Sequence, residues 1–183
     1  MTSLRILKPN VTREEAIEQF SRGAISHMRA GLYGPLRSVA DFFVPFKLFQ
    51  VEIFNNGRKK LRIFGLDAAS GLLDLYGFDQ MPGDHEVIYR ESRNRAPIIV
   101  NDEIGKSLVA TKVQRLLFTT GFFRLWNFRL SAEAIPGEIY VPYWVGFRGR
   151  RAAARFVVMD AVRRRMEGGK VRELLRDWLA STS

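Results

Sequence analysis

A chain of 183 residues, 46% hydrophobic and 26% charged, has the composition of a folded protein with a sizeable interior, and it suits one domain or two small ones sharing a core. It has no cysteine, which removes disulfides, thiol nucleophiles and cysteine-based metal sites. Its formal charge of +10 points to anionic partners such as nucleic acid, an acidic membrane surface or an acidic protein. The excess is uneven, since residues 148–183 hold ten Arg and Lys against four Asp and Glu.

No apolar run approaches the roughly 20 residues of a membrane-spanning helix. Lys8-Pro9 cuts short the apolar start, so no secretory signal is read there and a cytoplasmic location is expected. Residues 4–7 are a short apolar piece suited to an edge strand. Thr12 followed by Glu15 is a capping box, and Ala16, Ile17, Phe20 and Ala24 then recur at helical spacing. These signals predict a helix over residues 13–30, stopped by Gly31. Residues 32–43 read as a connection turning at Gly34-Pro35.

From Val44 a hairpin begins. Phe49, Val51 and Ile53 alternate with Gln50 and Glu52, Asn56-Gly57 suits a tight turn, and Leu61 to Leu66 return along the first strand. The return ends at Asp67-Ala68-Ala69-Ser70-Gly71, a turn in which Asp67 can bond forward to backbone amides and Gly71 can take a left-handed conformation. A third strand is expected over 72–78, a turn at Pro82-Gly83, a short strand over 86–89 and a polar link over 91–95. Residues 98–100 then suggest a strand and Asn101-Asp102 a helix cap. Ile104, Leu108, Val109, Val113, Leu116 and Leu117 predict a helix to about Thr119, ended by Gly121. An aromatic stretch, 122–128, reads as core between helix and sheet, and Pro136-Gly137 leads into a second hairpin. Val171, Leu174, Leu175, Trp178 and Leu179 mark a terminal helix after Gly168-Gly169.

The second hairpin looks like a shortened copy of the first. Val141-Pro142-Tyr143 answers Val44-Pro45-Phe46, and Asp160-Ala161 answers Asp67-Ala68, at offsets of 97 and 93 residues. Two units follow, 1–95 and 96–183, each a helix with an antiparallel hairpin, plus an extra C-terminal helix. A helix followed by a hairpin ending in Asp-Ala-x-Ser/Thr-Gly resembles the PepSY family and the wider cystatin-like folds, in which an antiparallel sheet wraps one helix. Residues 67–71 match that ending throughout, whereas the second copy keeps Asp160-Ala161 and continues as Val162-Arg163-Arg164. The resemblance implies an α+β fold and a non-catalytic binding or inhibitory module.

The chemistry is sparse. His27 sits within the first predicted helix and reads as structural or solvated. His85, in Asp84-His85-Glu86, belongs to a polar turn because consecutive residues of an extended segment point to opposite sides. There is no Gly-x-Ser-x-Gly elbow, and Gly168-Gly169-Lys170 lacks the spacing of a phosphate loop. Asp67 and Asp160 read first as turn caps and only then as a paired-carboxylate cleft. Arg148, Arg150, Arg151 and Arg155 surround the second hairpin turn and Arg163, Arg164 and Arg165 follow its exit, with Trp144 available for stacking if it faces outward.

The leading expectation is a non-enzymatic module that binds a small ligand or a protein, with no cofactor or metal. The alternative is binding of nucleic acid or another polyanion through the arginines of the C-terminal third, and a third reading is an enzyme with a carboxylate-lined cleft. Oligomeric state is left open.

Overall fold

The computed structural model describes residues 3–22, 34–119, 128–149 and 155–182. The elements are β1 (Ser3–Leu7), α1 (Arg13–Ser21), β2 (Leu36–Asn55), β3 (Arg58–Asp67), β4 (Tyr76–Phe78), a 3-10 turn (Asp84–Glu86) and β5 (Val87–Glu91). They continue with α2 (Asp102–Thr119), β6 (Arg129–Arg148), β7 (Arg155–Asp160), β8 (Arg165–Met166) and α3 (Gly169–Thr182). The fold is α+β. The strands run in the hydrogen-bonded order β4-β3-β2-β6-β1-β5, with β7 on β6 and β8 on β7. Pairing is antiparallel in both hairpins and parallel between β1 and β6, where Ile6 faces Tyr140.

The chain forms two compact units, each drawing on both halves of the sequence. One comprises residues 1–44, 88–96 and 140–183, the other 45–87 and 97–139. In the second unit, Gly105, Val109 and Val113, one turn apart on α2, are buried, and the two valines pack with Phe49 and Val51 of β2 and Phe64 and Leu66 of β3. Leu130, Ala132 and Ala134 on alternate positions of β6 close the same cluster. In the first unit, Ala16 and Phe20 of α1 pack with Val11, Val39 and Met159, flanked by Leu36, Trp144 and Val157.

The two units solve the same packing problem with opposite partners. In the second, Gly105 of the helix leaves room for the Phe49 ring, where an added Cβ would lie 2.5 Å from the ring carbon. In the first, Gly146 of the strand leaves room for Phe20 of the helix, at 2.7 Å from the corresponding position. A large residue therefore meets a gap in each unit, but helix and strand exchange roles.

Several sequence expectations shift. Residues 36–43 are strand rather than connection, because Val39, Phe42 and Phe43 are buried there and β2 runs unbroken through Pro45. Helix α1 ends at Ser21 instead of near residue 30. Arg22 caps it in extended geometry, and the remainder of that expected helix lies outside the described residues. β1 is not an edge, since β6 and β5 flank it. Residues 98–100 are not a strand, and the Ile99 and Val100 amides both donate to Ala68 O, at 2.8 and 2.9 Å. Of 72–78 only Tyr76–Phe78 is strand. Pro136-Gly137 sits inside β6, with Gly137 at φ 89°. The Asn56-Gly57 turn is as expected, both residues having positive φ between the paired Asn55 and Arg58.

Candidate functional site

Both hairpins end in the same small device. Asp67 closes β3 opposite Phe46, and Asp160 closes β7 opposite Tyr143. Ala68 then donates to Pro45 O at 2.8 Å, and Ala161 to Pro142 O at 3.0 Å. The carboxylate of Asp67 accepts from the amides of Ala69 and Ser70, at 2.8 and 3.2 Å, and from the Ser70 hydroxyl. That of Asp160 accepts from the amides of Val162 and Arg163, at 2.9 and 2.8 Å. Both aspartates are fully buried. A buried carboxylate surrounded by forward amides is already solvated by its own turn, which is why these residues act here as caps.

The carbonyl one residue further on anchors the chain entering a helix. Ala68 O receives Ile99 and Val100 before α2, and Ala161 O receives the Asn10 amide, at 2.8 Å, before α1. Both α1 and α2 then begin with a side-chain cap that accepts from an amide three residues further on. Thr12 Oγ1 accepts from Glu15 N at 3.2 Å, and Asn101 Oδ1 accepts from Ile104 N at 2.9 Å. Where Gly71 takes φ 71°, Arg164 takes φ 56°. The arginine holds this glycine-favouring geometry with its guanidinium donating to Asn10 O, its Nε at 2.8 Å, and lying 3.9 Å from Glu15.

The expected arginines divide by position. Arg148 is only 4% exposed, and its guanidinium donates inward to the carbonyls of Phe20 and Gly34. It therefore ties the end of β6 to the last turn of α1 and to Gly34 instead of presenting charge. Arg150 and Arg151 lie outside the described residues, as do His27 and residues 122–127 of the aromatic stretch. Arg163 is half-buried, and Arg165 is exposed but paired with Glu167 at 2.9 Å. Trp144 does not face outward as a stacking platform: it packs in the α1 cluster and its indole N–H donates to Val11 O at 2.9 Å. His85 is exposed on the 3-10 turn, 3.8 Å from Glu86.

Arg155 lines a groove. Arg155 and Phe156 at the start of β7, with Gly169, Arg172, Glu173 and Arg176 of α3, line an open groove of about 660 Å³. The helix positions 169, 172, 173 and 176 make one stripe at i, i+3, i+4 and i+7. Val171, Leu174 and Leu175 on the opposite stripe are buried, which turns the charged stripe to the groove. Three guanidinium groups against one carboxylate give the lining a net positive charge, and Phe156, half-buried and 6.3 Å from Phe147, supplies an apolar wall. The sequence reading placed only Arg155 of this set. The signal for Gly169, Arg172, Glu173 and Arg176 was the second stripe of the terminal helix, complementary to the apolar one.

Among the described residues no helix is long and apolar enough to cross a membrane, and no group of three metal-ligating side chains occurs. No family model matches the chain, and neither a curated protein nor a solved structure matches it.

Proposed function

We propose that the protein is a non-catalytic binding module that takes an anionic ligand in the groove between β7 and α3. The observation that carries this reading is the convergence of Arg155, Arg172 and Arg176 on one cavity, with Glu173 the one acidic wall among the described residues. A volume of this size suits a ligand of small-molecule dimensions, within the roughly 300–1,000 Å³ typical of such sites. Arginine forks favour carboxylate or phosphate groups, and the Phe156 ring offers a surface for a flat apolar moiety. Asp67 and Asp160, the carboxylates that a cleft enzyme would use, are instead spent on turn amides.

The proposal has an architectural part. Residues 1–95 and 96–183 are divergent copies of one helix-plus-hairpin unit, related to the PepSY and cystatin-like modules, with α3 added. The matched turn bonds, helix caps and left-handed positions support this reading, as does the exchanged glycine–phenylalanine packing. The setting we assign is cytoplasmic.

The test is calorimetric titration of the whole protein at low salt with inorganic phosphate, pyrophosphate, citrate and a mononucleotide. At least one should bind saturably, and Arg172→Gln with Arg176→Gln should weaken it by about tenfold or more, the loss of two charge-assisted contacts. If no anion binds, or if the double variant binds as well as the parent, the groove reading fails. Heparin retention that survives this variant would favour the other reading, in which a polyanion lies along the C-terminal arginines.

A further inference from the structure

The β2–β3 hairpin carries a second basic surface, in the other compact unit. Arg58, Lys59, Lys60, Leu61 and Arg62 follow one another on β3, and all five are exposed. Strand alternation puts Arg58, Lys60 and Arg62 on the face that Phe64 and Leu66 present to α2. On that face β3 thus changes from two buried apolar residues to three cations. Opposite them on β2, Val51 is buried beneath the helix, Ile53 is partly so, and Asn55 closes the turn. The outer part of the hairpin therefore extends beyond its helical cover. A Cβ built on Gly57 at the tip meets nothing within 4 Å.

The charge is only partly compensated. Lys59 pairs with Glu52 at 2.7 Å and Arg62 lies 3.7 Å from Asp79, which is itself fully exposed. Arg58 and Lys60 make no ion pair among the described residues. Cations on alternate strand positions are spaced about 6.8 Å apart, roughly twice the 3.4 Å rise per nucleotide along one strand of a duplex. The tip is Asn-Asn-Gly, with Leu61 the sole exposed large apolar side chain of the segment. A hairpin built to enter a lipid surface would instead carry aromatic or aliphatic residues there.

We infer that the outer β2–β3 hairpin is a contact surface for the phosphate backbone of nucleic acid, with Arg58 and Lys60 as its principal cations. The contact is to phosphates and so carries no base preference, and its strength falls steeply with salt. This inference does not depend on the groove between β7 and α3.

The experiment measures fluorescence anisotropy of a mixed-sequence oligonucleotide, single-stranded and as a duplex, over about 50–200 mM salt with the whole protein. Arg58→Gln with Lys60→Gln should weaken binding more than tenfold at about 0.1 M salt. It should also make the logarithmic salt slope shallower by about 1.8 for the duplex and about 1.4 for the single strand, which tells which form is engaged. Should the double variant lose its fold, Lys60→Gln alone is expected to give half that change in slope. Three results overturn the inference: no binding of either form, unchanged affinity and slope in the variants, or binding of phosphatidylserine vesicles without binding of nucleic acid. A slope that responds only to Arg172→Gln with Arg176→Gln overturns it too, because the contact then lies in the groove.

Discussion

At the scale of single residues, the clearest consequences come from glycines that make room. Gly105 costs α2 about 1 kcal/mol relative to alanine in intrinsic helix propensity. Yet a methyl there would sit 2.5 Å from the Phe49 ring, which is fully buried and has nowhere to swing. Overpacking of this kind costs about 1–3 kcal/mol, so it outweighs the propensity gain. Gly105→Ala should therefore lower stability by about 1 kcal/mol, seen as a melting temperature reduced by about 3 °C. An unchanged or raised melting temperature would show that propensity prevails. Helical spacing marked Val109 and Val113 as buried, but it cannot mark Gly105, because only the facing ring explains a glycine at a core position. Arg164 poses the converse case. Its left-handed backbone is not what an arginine suggests, and its hydrogen bond to Asn10 O comes from residues 154 positions away.

At the scale of elements, α1 and α2 each rely on a side-chain cap and on the carbonyl at a hairpin exit. Thr12 and Asn101 supply the caps, and Glu15 completes the box on α1 by accepting from Thr12 N at 2.7 Å. Thr12→Ala and Asn101→Ala should each cost about 1 kcal/mol in urea unfolding, with the denaturant slope unchanged. A loss well below half that value in either would mean that water replaces the cap. The capping box, the Asn56-Gly57 turn and the buried positions Ala16, Phe20, Val109 and Val113 could be read in the chain because they depend on neighbours within four residues. Ile104 and Leu116 of the expected α2 stripe are instead exposed, because no described element covers that side of the helix there. Strand ends could not be read in this way. β2 begins at Leu36, eight residues before the Val44 expected as its start, since pairing and not local pattern decides where a strand begins.

At the scale of the whole molecule, neither sequence half holds a complete unit. Residues 1–95 contain α1 but lack Trp144, Val157 and Met159, against which it packs. Residues 96–183 contain α2 but lack Phe49, Val51, Phe64 and Leu66. Fragments 1–95 and 96–183 should each be largely unfolded alone and regain cooperative unfolding only when combined, as judged by circular dichroism and amide dispersion. A fragment that folds by itself would refute this dependence. The binding surfaces follow the same division between local and long-range information. The groove draws Arg155 and Phe156 from β7 and the remaining lining from α3.

By itself the sequence determined the local features: an α+β composition, the helix caps, the tight turn of the first hairpin and the paired Asp-Ala exits. All of these are set by interactions within a few residues, where side-chain chemistry and backbone preference act directly. The tertiary structure alone decided which arginines face solvent. Arg148 turns inward to carbonyls of distant segments, while Arg172 and Arg176 reach a cavity, and nothing in an arginine's neighbours distinguishes these fates. The exposure of a charge depends on what the rest of the chain packs over it. Only the folded arrangement settles that.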